Sequence, residues 1–357
     1  MQLDQLNAIK TAFVQELADA TAGNKTSLPF IRHTLTSRSL VAQNEIFQTL
    51  VIGGSIFQKA VMQKVDDNIK IIVHTQGEQP KFLTKQHLMD FVISHLEPEV
   101  KTIALNFAYP MTPISRGDVL DGTLQNGSKE NTFEGLVGQN VGEEIEKYIK
   151  ETQGRDVQIS IANDTICLML SGLIQHPWNK LAAGIVGTGL NFAMYLDENT
   201  AVNLESGSFD KFTPSEAGID IDIHSAAPKD AIFEKEISGA YLFKHFNFLA
   251  QKRGIAIEPI SSSQQLDNLV NAPSPEIAAL AQEILLNSAS LVAIQVAGIM
   301  EFCKRDLVFI MQGSLYWKGN KYKDTIEKLV IEMCPQHKAS YENVFHSDLL
   351  GAAKLVA

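Results

Sequence analysis

The sequence feature that most constrains the fold is a pattern that occurs once in each half of the chain. An apolar run with strand character ends at a glycine-rich turn, and a second strand-like run follows that turn. The turn is Gly53-Gly54-Ser55 in the first half and Gly187-Thr188-Gly189 in the second. Because helical and strand periodicities alternate around both turns, the sequence predicts an α/β protein.

Composition narrows the class of protein further. The chain has 357 residues, 45% of them hydrophobic and 20% charged, which is typical of a folded protein and favours two domains. A net charge of −11 without any block of Lys or Arg argues against a general nucleic-acid or anionic-membrane binder. Three scattered cysteines predict neither a disulfide framework nor a zinc cluster, and the first residues do not resemble a signal peptide. We therefore expect a soluble, cytoplasmic protein with no nucleic-acid or membrane partner.

Periodicity places the main elements along the chain. Strands are predicted at 47–52, 57–65, 69–74, 101–107, 157–161, 181–186, 192–196 and 307–311. Helices are predicted at 3–20, 142–152, 234–252 and 275–302, the last of them apolar on most sides and therefore buried.

The two glycine turns are candidate phosphate sites. Glycine lets the backbone approach a bound group closely, backbone N–H groups can point at phosphate oxygens, and the hydroxyl of Ser55 or Thr188 can add a donor. Taken singly, such a turn is more often an ordinary hairpin. Neither a P-loop motif nor a Rossmann glycine motif occurs in the chain.

A third candidate is Asn163-Asp164-Thr165, which directly follows the predicted strand at 157–161. Polar residues at the carboxyl end of a buried strand lie where α/β sheets place ligands, and an Asp there can act as a general base. The alternative is a helix cap, a role that Asn and Asp also fill well. Four further polar residues are candidates that could equally be solvated surface positions: Lys129, Asn191, Glu205 and Glu234.

Taken together and in order, these segments resemble motifs of the hexokinase family of sugar kinases. Phe107-Ala108-Tyr109-Pro110 is similar to the family's Phe-Ser-Phe-Pro, and Ser128-Lys129 with the Gly135–Val141 segment resembles its Thr-Lys-Gly-Phe loop and the following Gly-Val-Glu-Gly. Ala162 to Thr165 resembles Val-Asn-Asp-Thr, and Ile185 to Asn191 resembles Ile-Val-Gly-Thr-Gly-x-Asn. Later matches are Asn203-Leu204-Glu205 to Asn-Thr-Glu, Phe233 to Leu242 to Phe-Glu-Lys-Met-Ile-Ser-Gly-Met-Tyr-Leu, and Gly313 to Tyr316 to Gly-Ser-x-Tyr.

The resemblance implies a two-domain, actin-like ATPase (ribonuclease H-like) fold with a central cleft. It implies a helix at 1–29 that packs on the large domain, a small α/β domain at 30–164, a large α/β domain at 165–340, and a segment at 341–357 that returns to the small domain. The implied reaction transfers the γ-phosphate of ATP to the 6-hydroxyl of glucose or a related hexose, the first step of hexose metabolism. Magnesium is expected to be held mainly through phosphate and water, with no protein metal ligand assigned.

The resemblance also implies residue roles. Asp164 would be the catalytic base, with Lys129 as a second catalytic residue. The hexose would be bound by Ser128, Lys129, Asn163, Asp164, Asn191, Glu205 and Glu234. The nucleotide would lie along Gly53, Gly54, Ser55, Gly187, Thr188, Gly189, Gly313 and Ser314.

Departures from the family concentrate in the first phosphate motif. The family reads Asp-Leu-Gly-Gly-Thr-Asn-Phe-Arg, whereas this chain has Val51 at the position of the magnesium-associated Asp and Gln58 at that of the Arg. Ala108 replaces a sugar-contacting serine, and Gln312 replaces an Asp. Phosphoryl transfer depends on metal and cationic groups that neutralise charge. Two hypotheses therefore stay open: an active hexokinase, and a sugar-binding pseudokinase that acts as a sensor or regulator. A kinase of the repressor-related sugar kinase group is disfavoured because a cysteine-rich zinc loop is missing.

Overall fold

The computed structural model describes residues 1–36, 38–66, 68–127 and 130–357. Within these residues the strands are β1 (Ile31–Thr34), β2 (Ile46–Ile52), β3 (Ile56–Val65), β4 (Asn68–Glu78), β5 (Thr102–Phe107), β6 (Met111–Arg116), β7 (Val119–Leu124), β8 (Gln158–Ala162), β9 (Leu181–Val186), β10 (Leu190–Asp197), β11 (Thr200–Asn203), β12 (Leu307–Gln312) and β13 (Ala339–Glu342). The α-helices are α1 (Leu3–Thr21), α2 (Lys85–Ser94), α3 (Val141–Gln153), α4 (Asp164–Ser171), α5 (Glu216–Ile223), α6 (Ile232–Ile237), α7 (Leu242–Arg253), α8 (Ser263–Leu269), α9 (Pro275–Cys303), α10 (Ser314–Lys318), α11 (Tyr322–Met333) and α12 (Ser347–Ala353).

The chain divides into two compact units. One, the helix-rich unit, comprises Met1–Phe30, Ala182–Met194 and Leu204–Glu342. The other, the sheet-rich unit, comprises Ile31–Leu181, Tyr195–Asn203 and Asn343–Ala357. Residues 165–181, which were expected in the large domain, group with the sheet-rich unit. The predicted domain limits themselves stay a prediction, because the units are groups of packed residues.

The sheet-rich unit is built on a five-stranded sheet with the order β4-β3-β2-β5-β8. Strand β2 pairs antiparallel with β3 and parallel with β5, which in turn pairs parallel with β8. Side chains alternate between the two faces of a strand. Leu50 and Ile52 of β2 therefore point to one face, where they join a buried apolar cluster with residues of α2 and α3. The opposite face of β2 and β5 packs against α12.

Helix α12 also packs tightly on α4 within the same unit. A Cβ atom on Gly351 of α12 would lie 1.7 Å from the carbonyl oxygen of Cys167 in α4, so only glycine permits this approach. This contact explains why residues near 165–171 group with the sheet-rich unit together with the C-terminal segment.

The helix-rich unit is centred on α9, and its strands follow the order β10-β9-β12-β13. Helix α1 packs on α9, and a Cβ atom on Gly298 of α9 would lie 2.6 Å from the Phe13 ring of α1. By length and composition alone, helix α9 could cross a membrane. However, 56% of its most apolar stretch is buried, and core helices can be equally long and apolar. The predicted buried helix at 275–302 is confirmed.

Most predicted elements are confirmed, but the predicted helix at 234–252 is wrong in its middle. Helix α6 ends at Ile237, and α7 begins at Leu242. In the break, Gly239 N donates to Gly187 O at 2.7 Å and Ala240 N donates to Thr188 O at 3.3 Å. The apolar periodicity continues through both helices, so the interruption is set by these hydrogen bonds to a distant turn.

Candidate active site

The second glycine turn, Gly187-Thr188-Gly189, connects β9 and β10 in the helix-rich unit. Gly187 N donates to Gly189 O at 3.0 Å, which closes the turn. The side chain of Thr188 is exposed, whereas Gly187 is buried. The turn therefore exposes the Thr188 hydroxyl, and the connection between α6 and α7 is hydrogen-bonded to the backbone of the turn.

The late motif at Gly313 lies directly against this turn. Gly313 has φ +114°, and a Cβ atom there would lie 2.1 Å from Val186 O. A Cβ atom on Gly187 would in turn lie 3.2 Å from Gly313 Cα. The structure thus brings two predicted nucleotide segments together, with the exposed Ser314 beginning α10 beside them.

Glu234 of α6 reaches the far end of the same turn. Leu190 N donates to Glu234 Oε2 at 2.8 Å, and a Cβ atom on Gly189 would lie 3.1 Å from that oxygen. Burial raises the pKa of the Glu234 carboxyl above its ordinary value, while the hydrogen bond from Leu190 opposes that rise. Because the Glu234 carboxylate is only partly solvated, it can accept hydrogen bonds from a ligand.

Asn191 and Glu205 form a second polar pair in this unit. Asn191 Oδ1 accepts from Phe192 N at 2.8 Å and from Ser206 N at 3.3 Å, and its Nδ2 donates to Glu205 Oε1 at 3.4 Å. Glu205 has left-handed backbone angles, φ 48° and ψ 48°, which are strained for this residue type. The hydrogen bond from Asn191 Nδ2 orients the Glu205 carboxylate.

The first glycine turn, Gly53-Gly54-Ser55, connects β2 and β3 in the sheet-rich unit. Gly53 N donates to Gln79 Oε1 at 2.7 Å, and Gln79 Nε2 donates to Tyr109 Oη at 2.9 Å. A Cβ atom on Gly53 would lie 2.2 Å from Ala108 Cβ. Sequence reasoning missed the contribution of Gln79, because nothing in its neighbourhood marks it as a partner of the turn.

Asn163 and Asp164 follow β8 in the same unit, at the start of α4. Asn163 Oδ1 accepts from Ile166 N at 3.0 Å, so the capping alternative holds for this residue. Asp164 Oδ1 accepts from Thr165 N at 2.8 Å and from Thr165 Oγ1 at 3.2 Å. These bonds orient the Asp164 carboxylate, and its Oδ2 accepts no hydrogen bond from the described part of the chain. Ser128 and Lys129, two of the predicted sugar-site residues, lie outside the described residues.

Known proteins similar to this chain include hexokinases. No protein-family model matches the chain. Hexokinase-5 of Oryza sativa is 30% identical over 276 residues, which is 66% of this chain and 53% of that protein. Hexokinase-2 of Candida albicans is 24% identical over 304 residues, 74% of this chain and 62% of that protein. The chain spans about half the length of the curated relatives that it matches.

Solved structures share the fold over most or all of the chain. The hexokinase of Schistosoma mansoni, complexed with glucose, has a TM-score of 0.77 and 18% identity over 100% of this chain and 95% of that one. A ROK family protein of Streptococcus pneumoniae, in complex with sucrose, has a TM-score of 0.61 and 17% identity over 87% and 97%. These similarities confirm the predicted fold class and the resemblance that the motifs carry.

Proposed function

We propose that this chain, a relative of the hexokinases in sequence and in fold, is an ATP-dependent kinase that phosphorylates the 6-hydroxyl of glucose or a related hexose. The observation that carries this proposal is the grouping of oriented carboxylates and amides around the Gly187 turn. We also propose a place in the first step of hexose metabolism and a cytoplasmic location, which follow from the resemblance and the composition respectively.

The polar groups of the helix-rich unit suit a hexose. Each sugar hydroxyl both donates and accepts a hydrogen bond, so carboxylates and amides together can satisfy several of them. Glu205 and Glu234 would accept from hydroxyl groups, and Asn191 would hold Glu205 in place while it offers its own amide. The resemblance also implies Ser128, Lys129 and Asn163 as sugar-binding residues.

Asp164 is the proposed base. It would take the proton of the 6-hydroxyl as that oxygen attacks the γ-phosphorus, and the bond from phosphorus to the ADP oxygen breaks. The two bonds from Thr165 leave Oδ2 as the oxygen that can accept this proton. A positioned base of this kind contributes about 10²–10⁴ in rate. Lys129 is the second catalytic residue that the resemblance implies.

The glycine segments would hold ATP. Backbone N–H groups at glycine turns can point at phosphate oxygens, and the exposed hydroxyls of Ser55, Thr188 and Ser314 add donors. The contact between Gly187 and Gly313 supports a shared nucleotide role for these two segments.

Magnesium would supply charge neutralisation on the transferring phosphoryl group. Within the described residues, no group of three or more His, Cys, Asp or Glu could hold a metal ion. The buried Asn106 Oδ1 has no hydrogen-bond partner among the described residues. Since magnesium prefers oxygen ligands and keeps several waters, this orphaned oxygen fits an ion held mainly by phosphate and water.

A second candidate is a sugar-binding pseudokinase that acts as a sensor or regulator. It is favoured by Val51 and Gln58, because the first phosphate motif lacks the acid and the cation that the family has there. The presence of an oriented Asp164 favours the enzyme, because a protein that only binds sugar needs no base.

The test measures hexose-dependent ADP release with ATP and magnesium across glucose, mannose and fructose. We expect turnover in the wild type and a loss of about 100-fold or more in Asp164→Asn. The matched control is Asp156→Asn, which alters an 86% exposed aspartate and should leave turnover unchanged. Calorimetry should show that Asp164→Asn still binds the sugar. Sugar binding without turnover in the wild type would overturn the kinase and support the pseudokinase.

A further inference from the structure

A carboxylate from the C-terminal helix lies over the position where the first phosphate motif lacks its acid. Val51 of β2 is paired with Gln58 on β3 and with Asn106 on β5. Gln58 Nε2 donates to Asp348 Oδ2, and Asn106 Nδ2 donates to Asp348 O, both at 3.4 Å. Both sheet neighbours of Val51 thus contact the same residue of α12.

An unsatisfied oxygen lies at the same place. Asn106 is only 1% exposed, and in the part of the chain that the structure describes its Oδ1 has no hydrogen-bond partner, although its Nδ2 contacts Asp348. Leaving a buried acceptor unsatisfied costs about 1–3 kcal/mol, so a native structure that keeps one calls for a reason. A cation that coordinates this oxygen directly would satisfy it.

The proposed base begins α4, the helix on which α12 packs. Gly351 of α12 packs on Cys167 of α4, and Asp348 and Asp164 each lie three residues before these contact points. Burial raises the pKa of the Cys167 thiol well above its ordinary value, and the charges of Asp164 and Asp348 raise it further. Both carboxylates therefore lie near one buried sulfur.

We propose that Asp348, with Asn106 Oδ1, binds the hydrated Mg²⁺ of the nucleotide and takes the place of the carboxylate that Val51 lacks. An all-oxygen set of one carboxylate and one amide oxygen suits magnesium, and phosphate and water complete its coordination. The inference rests on the proposed function, because the ion arrives with ATP. The competing explanation is structural: an acid in the first turn of a helix stabilises that helix by itself.

The experiment measures Mn²⁺, as a probe for Mg²⁺, by electron paramagnetic resonance in the presence of a non-hydrolysable methylene analogue of ATP. We expect Asp348→Asn to weaken Mn²⁺ binding by at least about 10- to 100-fold, because the loss of even an outer-shell partner of a metal has an effect of that size. The double variant Val51→Asp/Asp348→Asn should regain most of this affinity. The matched control is Asp324→Asn, which removes an acid from the first turn of α11 and should bind Mn²⁺ like the wild type.

Circular dichroism identifies a variant that fails to fold. If Asp348→Asn does not fold, Asn106→Leu tests the site without a substitution in α12. We expect that variant also to lose Mn²⁺ affinity. Wild-type affinity in both Asp348→Asn and Asn106→Leu would overturn this inference while leaving the kinase proposal intact. A wild-type chain that binds neither the analogue nor its Mn²⁺ complex would overturn the proposed function and this inference with it.

Discussion

Replacing Glu234 by Gln tests the sugar site through a single atom. The change keeps the size of the side chain and an oxygen that can accept from Leu190 N, but it removes the charge. Hydrogen bonds to charged groups contribute about 1.5–3 kcal/mol and neutral ones about 1 kcal/mol. The loss per sugar hydroxyl is therefore about 0.5–2 kcal/mol, or about 2- to 30-fold in the dissociation constant of glucose.

The pH dependence gives an independent check of the same carboxylate. Because burial raises the pKa of Glu234 above 4.5 in the unliganded protein, the folded state binds a proton more tightly than the unfolded chain. The free energy of unfolding therefore falls as the pH rises from 4.5 through the raised pKa, and this loss is complete above it. Glu234→Gln should remove this slope, so it should melt higher than the wild type at neutral pH but not at pH 4.

Calorimetric titration with glucose between pH 5 and pH 8, together with thermal melts, measures both effects. If Glu234→Gln bound glucose with wild-type affinity across this range, the charge of Glu234 would not contribute to glucose binding and this prediction would be refuted. It would also be refuted if the variant melted lower than the wild type at neutral pH. Glu258→Gln, a substitution at an exposed acid in the same unit, serves as the control.

Three other substitutions test the proposed base, a close glycine contact and a buried histidine. Asp164→Ala should abolish turnover and leave the glucose dissociation constant largely unchanged in calorimetry, because a base acts in the transition state; retained turnover would exclude it as the base. Gly313→Ala should lower the free energy of unfolding in urea melts, because its Cβ would lie 2.1 Å from Val186 O. Backbone strain alone costs about 1–3 kcal/mol, and we expect a larger loss here. The control is Gly254→Ala, where φ is +69° and the space is open, so that variant shows the effect of strain alone. Burial lowers the pKa of His33 from 6.5 to about 4, so the unfolded chain binds the extra proton first as the pH falls. The free energy of unfolding should therefore fall between pH 6.5 and 4, by at most about 3.4 kcal/mol at about 1.36 kcal/mol per pH unit. An unchanged slope in His33→Gln would refute this role of His33.

The sequence allows the prediction of those parts of the fold that depend on local periodicity. Helix α1, the strands around both glycine turns and the buried α9 lie within a residue or two of their predicted limits. The hairpin of β6 and β7 and helix α2 were not predicted, because two strands of six residues and a helix of ten are too short to give a clear period. Helices α6 and α7 were predicted as one, because the hydrogen bonds that separate them come from the distant Gly187 turn.

The candidate site follows the same division. Motif resemblance singles out Asn191, Glu205 and Glu234, and their hydrogen bonds in the structure are compatible with the roles it implies. It gives no sign of Asp348, because that residue reaches Val51 only through strand register and helix packing. Contacts of this kind depend on tertiary structure, and a single sequence carries no local signal for them.

The activity that we propose for this chain is the transfer of a phosphoryl group from ATP to a hexose. The most direct measurement is phosphorus NMR of a mixture of the wild-type protein, glucose, ATP and magnesium. We predict that the γ-phosphate signal decreases while signals of ADP and of a phosphate ester at the 6-position of glucose appear, and that Asp164→Asn gives neither product signal. An unchanged ATP spectrum with the wild type, under conditions in which calorimetry shows bound glucose, would contradict the claim.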